Sequence, residues 1–197
     1  MIEFQGVTKS FAGVRVLGPL DLHIPLGETT VLIGPSGCGK STILRLIVGL
    51  IAPDGGDVRF EGATVMPDTV MMLRRRMGYV IQEGGLFPHL TARGNVVLMA
   101  RQLGWDDRRT AERVAELAQL TQFPADGLDR YPVELSGGQQ QRVGLMRALM
   151  LAPDVLLFDE PLGALDPMIR ADLQEDLKRI FQTVKKTVVL VTHERDI

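Results

Sequence analysis

Residues 34–41, Gly34-Pro35-Ser36-Gly37-Cys38-Gly39-Lys40-Ser41, leave this chain few folds to choose from. They fit the pattern G-x-x-x-x-G-K-[ST], which needs a strand before it and a helix after it. Thr29-Thr30-Val31-Leu32-Ile33 reads as the buried strand, and Lys40 to Leu50 as the helix, ended by Gly49 and the later Pro53. Glycines let the backbone curl until successive N–H groups point inward, making a nest for phosphate oxygens. The helix adds the positive end of its dipole. In such a cradle Lys40 reaches the β- and γ-phosphates and the Ser41 hydroxyl binds Mg²⁺.

The rest of the chain supplies a matching framework. Up to about Phe60, short apolar runs alternate with Gly and Pro, which predicts several short strands. Gly78-Tyr79-Val80-Ile81 and Thr187 to Val191 read as further strands, and His193 sits just past the last. Val155-Leu156-Leu157-Phe158 is continuously apolar, the mark of a strand buried on both faces. Asp107 to Phe123 carries Ala111, Val114, Leu117, Ala118 and Thr121 at helical spacing. Another helix starts near Gly137, with Val143, Met146 and Met150 on one face. Asp166-Pro167 offers an N-cap and a first-turn proline for a third, whose Ile169, Leu173, Leu177 and Ile180 face the core. Strands alternating with helices imply a mainly parallel sheet covered on both faces, with ligands at the carboxyl ends of its strands. Gly34, Asp159 and His193 all lie at or just past such ends.

Bulk properties exclude other classes. The net charge of −2 gives no electrostatic case for nucleic acid. The dense Arg74-Arg75-Arg76 run reads as a solvated face. No apolar run approaches the roughly 18 residues needed to span a bilayer, and Met1-Ile2-Glu3-Phe4 lacks the features of a signal peptide. A single cysteine, Cys38, rules out an internal disulfide and a multi-cysteine metal site. The chain therefore reads as cytoplasmic, with membrane contact made through a partner.

Asp159-Glu160 closes the buried strand. Two carboxylates delivered there need compensation for lost hydration, which a bound metal supplies. Asp159 would hold Mg²⁺ through its shell, and Glu160 would orient and polarise an attacking water as general base. Leu135-Ser136-Gly137-Gly138-Gln139 forms a second anion site, a serine hydroxyl and glycine N–H groups at a helix start.

That last element matches the LSGGQ signature of ABC ATPases, and Gln140-Gln141-Arg142 continues in the family manner. The resemblance runs from Ile2 to His193. It implies a P-loop NTPase α/β fold with an N-terminal antiparallel β region, a mainly parallel sheet and an inserted helical subdomain at about 88–153, in a single domain spanning 1–197. It implies ATP as nucleotide, bound by Gly34 through Thr42, with Phe11 stacked on adenine. Gln82 matches the Q-loop glutamine, which touches metal and water. Gly163-Ala164-Leu165-Asp166 resembles the D-loop, placing Asp166 near nucleotide, and His193 matches the switch histidine at the γ-phosphate. A head-to-tail homodimer or paired ATPase subunit follows, with ATP in one cradle capped by Ser136, Gly137, Gly138 and Gln139 of the other copy.

The stretch from Met77 to Thr91 looks like bacterial importers of quaternary amines such as glycine betaine and choline. That likeness implies a peripheral subunit on the cytoplasmic face of the membrane, docked through its helical insert on an integral permease and served by a solute-binding protein. Amino-acid or other polar-solute importers, and a soluble ABC ATPase without transport, are the alternatives. The Phe87-Pro88-His89 turn carries either cargo information or none. Trp105 is open between partner contact and ordinary packing, and Cys38 between a nucleotide-protected reactive thiol and a small residue suited to a tight loop. The family continues past the switch histidine, so the resemblance implies that the usual C-terminal part is missing here; Glu194 also stands where aspartate is common.

Overall fold

The structure, a computed structural model, describes residues 1–81, 85–163 and 167–193. Two four-stranded sheets divide the β structure. The first is antiparallel, in the order β2-β1-β4-β5, built from β1 (Ile2–Phe11), β2 (Val14–Ile24), β4 (Gly55–Phe60) and β5 (Ala63–Thr64). The second is parallel, in the order β3-β8-β7-β6, from β3 (Thr29–Ile33), β6 (Met77–Val80), β7 (Val155–Asp159) and β8 (Thr187–Thr192).

Period-two alternation along β7 sorts its side chains between two cores. Val155 and Leu157 join the core around α1 (Lys40–Ile47), which contains Leu44, Leu46 and Ile47 and is closed by Phe4 and Phe60 of the antiparallel sheet. Leu156 and Phe158 face the other way, into the core of α5 (Gly137–Leu149) and α6 (Pro167–Val184). The α1 helix therefore lies between the sheets, and the larger helices cover the opposite face of the parallel one. The α/β class read from the sequence is the observed one.

Residues 88–153 hold α3 (Ala92–Gln102), α4 (Asp107–Leu120), two short 3-10 turns and α5. The Asp106 side chain caps α4 by accepting from the Arg109 N–H at 2.8 Å. The faces chosen by periodicity are buried at Val114, Leu117, Thr121, Val143, Met146 and Met150, but Ala111 is exposed. Leu173, Leu177 and Ile180 of α6 are buried as expected, while the Asp166 cap lies outside the described residues.

Three expectations need correction. The strand Thr29–Ile33 is not buried: Val31 and Ile33 are 38% and 54% exposed. Among the described residues it is the edge of its sheet, paired with β8 alone, so its apolar residues lack the double cover that β7 has. The helix after the cradle stops at Ile47 rather than Leu50. There Gly49 adopts φ 66°, and the Leu50 N–H donates to the Arg45 carbonyl at 2.8 Å, closing the helix in a left-handed turn. The arginine run is not a solvated face throughout. Arg74 donates to the Val48 and Gly49 carbonyls, each at 2.9 Å, and Arg76 pairs with Glu61 and Asp154, each at 2.7 Å. Trp105 packs half-buried against the helical core, with the Arg109 guanidinium 3.6 Å from its ring centroid.

The Phe87-Pro88-His89 turn is organised from below by Asn95, whose side chain is fully buried. The Asn95 amide oxygen accepts from the Phe87 N–H at 2.7 Å, and its nitrogen donates to the Phe87, Leu90 and Thr91 carbonyls at 3.0–3.2 Å. A buried amide with its polar atoms matched this fully fixes the loop without an unsatisfied group.

Candidate functional site

The strand order puts three chain segments side by side at one edge. The loop leaving β3, the end of β7 and the residues past β8 sit at the carboxyl ends of adjacent parallel strands, with Ile33 paired to Thr192 and Asp159 to Val191.

Gly37 and Gly39 take φ values of 81° and 97°, left-handed backbone that a Cβ would strain. At Gly39 a Cβ would also lie 2.7 Å from Leu17 Cδ2, because β2 packs directly against the loop. Gly39 is the N-cap of α1, yet no side chain caps that end and its first turn carries no acidic residue. The first N–H groups of the helix are thus free of competing side-chain acceptors, as an anion site requires. Lys40 is 7% exposed, and its ammonium donates to the Gly34 and Pro35 carbonyls at 2.6 and 2.9 Å. The lysine charge is therefore held inside the loop it closes. Cys38 is exposed, with Sγ 3.9 Å from Lys40 Nζ. Thr42 is buried within the first turn of the helix.

Asp159 is 7% exposed, and both of its oxygens are engaged: Ser41 Oγ donates to Oδ1 at 2.7 Å, and the Tyr79 hydroxyl donates to Oδ2 at 3.1 Å. Burial first, and then the Asp159 carboxylate, push the Tyr79 phenol well above its ordinary value, so it remains a proton donor. Glu160, the next residue, has φ 46°, a conformation rare for a non-glycine residue. Its N–H donates to the Val191 carbonyl at 3.0 Å, and its carboxylate meets His193 Nδ1 at 3.5 Å. The bend at Glu160 thus turns two consecutive carboxylates to different neighbours, one toward the hydroxyls and one toward the histidine. Gly163 lies near it, a Cβ there being 3.6 Å from Glu160 Oε2.

These residues fit a magnesium nucleotide. Among the described residues no cluster of three or more His, Cys, Asp or Glu could cage a metal. One carboxylate beside one hydroxyl is what Mg²⁺ takes when substrate phosphates and water complete its octahedron.

Other expected site residues lie elsewhere. Ser136 caps α5 by accepting from the Gln139 N–H at 3.3 Å, and Gln139 Oε1 accepts from the Ser136 N–H at 3.0 Å. Ser136 and Gly137 are exposed and Gly138 half-buried, and among the described residues no hydrogen bond joins this turn to the 34–42 loop. Phe11 is an exposed ring at the tip of the β1–β2 hairpin, 42% accessible, with Lys9 Nζ 5.6 Å from its centroid. Gln82 and Asp166 lie outside the described residues. Tyr79 was missed by reading the sequence. The available signal was a hydroxyl-bearing side chain inside a short apolar strand, where burial demands a partner.

A cleft of about 600 Å³ opens between β6, α2 (Pro67–Arg74), α3 and α5, lined in part by Met71, Arg74, Tyr79, Phe87, Leu98 and Arg147. Among the described residues no helix is long and apolar enough to cross a membrane.

Comparison with known proteins bears on the same residues. The glycine betaine/carnitine/choline transport ATP-binding protein OpuCA of Bacillus subtilis (strain 168) is 45% identical over 197 residues, covering 100% of this chain and 52% of that protein. The glycine betaine uptake system ATP-binding protein YehX of Escherichia coli (strain K12) is 46% identical over 196 residues, covering 100% of this chain and 64% of its own length. The chain thus spans about half to just under two thirds of these curated relatives. The dimeric structure of MJ0796, a bacterial ABC transporter cassette, superposes with a TM-score of 0.88 at 35% identity, over 98% of this chain and 88% of that one. The family model described as ABC transporter matches residues 17–163, and the chain belongs to the ABC transporter family.

Proposed function

We propose that this chain binds and hydrolyses ATP as the motor subunit of an importer for quaternary-amine osmolytes. The observation that carries the reading is the convergence of a glycine-curled loop, a buried lysine and a strand-end carboxylate pair on one edge of the parallel sheet. Loop N–H groups and Lys40 hold the β- and γ-phosphates. Ser41 and Asp159, joined by Gln82, would hold Mg²⁺, which screens phosphate charge when bound. Glu160 orients a water against the γ-phosphorus and takes up its proton as the bond to the bridging oxygen breaks, with His193 beside it at the γ-phosphate. Phe11 stacks on the adenine. Ser136, Gly137, Gly138 and Gln139 of a second copy close over the γ-phosphate, with Asp166 at the shared face. The exposure of this turn and the dimeric state of the MJ0796 relative support that pairing.

A permease seats against the helical segment at 88–153, for which the 600 Å³ cleft offers a recess, and the subunit then works at the cytoplasmic face of the membrane. The cargo assignment rests on the transport roles named for OpuCA and YehX. Cells carrying Lys40→Ala are expected to lose most of their radiolabelled glycine betaine uptake under osmotic stress. Unchanged betaine uptake alongside lost uptake of another polar solute would move the cargo elsewhere. Alkylation of Cys38 by a small maleimide is expected to slow several-fold when ATP and Mg²⁺ are present, since the thiol lies within the cradle. Equal labelling rates would place the nucleotide away from this loop.

A further inference from the structure

We infer that Tyr79 is a positioning residue for the metal-binding carboxylate, its phenol holding Asp159 in the orientation that faces Ser41. The inference rests on the proposed ATP–Mg²⁺ reading and adds to it a residue outside the cradle, the strand-end carboxylate pair and the signature turn.

The geometry follows from sheet register. Strands β6 and β7 run parallel with Tyr79 opposite Leu157 and Val80 opposite Phe158. Alternation places Met77 and Tyr79 on the same side as Val155, Leu157 and Asp159, the side covered by α1. Asp159 is two residues beyond Leu157 on that side. A phenol leaning forward along its strand reaches it where an aliphatic side chain would fall short. The hydroxyl donates to Oδ2 at 3.1 Å while Ser41 Oγ occupies Oδ1 at 2.7 Å, so the carboxylate is held from both ends.

A carboxylate with one free oxygen can rotate about its Cβ–Cγ bond, and a metal ligand that rotates must be reordered each time the metal binds. Partners that fix first-layer ligands commonly alter metal affinity by about 10–100-fold when removed. The Tyr79 hydroxyl spends its proton on Asp159 Oδ2, so its influence on the metal is expected to pass through that carboxylate.

The test is Tyr79→Phe, which removes one oxygen and keeps the ring. Nucleotide affinity is measured by titration calorimetry with ATP in EDTA and with ATP in Mg²⁺, beside the melting temperature. The expected result is unchanged affinity in EDTA, with the gain that Mg²⁺ confers on the wild-type protein reduced by about tenfold. The Mg²⁺ concentration giving half-maximal ATP turnover rises by a similar factor, while kcat at saturating Mg²⁺ moves far less. An equal Mg²⁺ gain in Tyr79→Phe and wild type overturns the assignment, as does equal weakening with and without Mg²⁺, which marks a general packing role. Should the phenylalanine variant fail to fold, Tyr79→Met supplies the same comparison. Wild-type protein that binds no ATP under either condition overturns the ATP reading, and the Tyr79 assignment with it. Wild-type binding with no change in the variant removes only the role of Tyr79.

Discussion

Glu160→Gln is expected to lower steady-state ATP turnover by about 10²–10⁴-fold while leaving ATP binding intact. The residue ends β7 in a left-handed bend, with its N–H held by the Val191 carbonyl, so the backbone and not the side-chain charge sets where the carboxylate lies. Glutamine keeps that shape and still hydrogen-bonds His193 or a water, but it cannot take up the proton released as water attacks phosphorus. ATP bound and uncleaved should then keep two copies joined through the γ-phosphate and the Ser136 turn. Size exclusion in ATP and Mg²⁺ is expected to show this variant as a dimer and the wild type, which turns over, mostly as monomer. A folded Glu160→Gln protein that stays monomeric in ATP and Mg²⁺ would remove the shared-nucleotide arrangement.

The second large effect is at Lys40. Its ammonium is almost fully enclosed and makes two short bonds to loop carbonyls. Removing it takes a positive charge from the cradle and leaves the Gly34 and Pro35 carbonyls without their donor. A hydrogen bond from the charged Lys40 to phosphate is worth about 1.5–3 kcal/mol, so losing two of them, to the β- and γ-phosphates, should weaken ATP by roughly 10²–10⁴-fold in Lys40→Ala. Lys40→Met, which restores volume without charge, should bind nearly as poorly if the charge is what matters. Fluorescence titration with a nucleotide analogue measures both. Recovery of affinity in the methionine variant would assign Lys40 a packing role.

The contrast between what could be read in the sequence and what could not follows the distance over which each feature is encoded. The phosphate cradle is contiguous, and its glycines, lysine and serine announce their geometry within eight positions. The Ser136–Gln139 turn is equally local, a capping box written in four residues. Asp159 and Glu160 were legible because a wholly apolar run before them signals a central strand. Tyr79 was not, since its partner lies eighty positions away and meets it only through the β6–β7 register. Strand β3 looked as apolar as a buried strand, but exposure depends on its place at the sheet edge, which its own residues do not record. Asn95 reads as an ordinary polar helix residue until the loop folds onto it. Arg74 and Arg76 likewise look solvated until their carbonyl and carboxylate partners arrive from other elements.

Everything proposed for this chain depends on the loop at 34–41 accepting a nucleoside triphosphate. Calorimetric titration of folded protein with ATP, in the presence of Mg²⁺, addresses that directly. A saturable heat with one nucleotide per chain, lost in Lys40→Ala, is the result the account predicts. No saturable heat from protein whose circular dichroism shows intact helix and strand would contradict it.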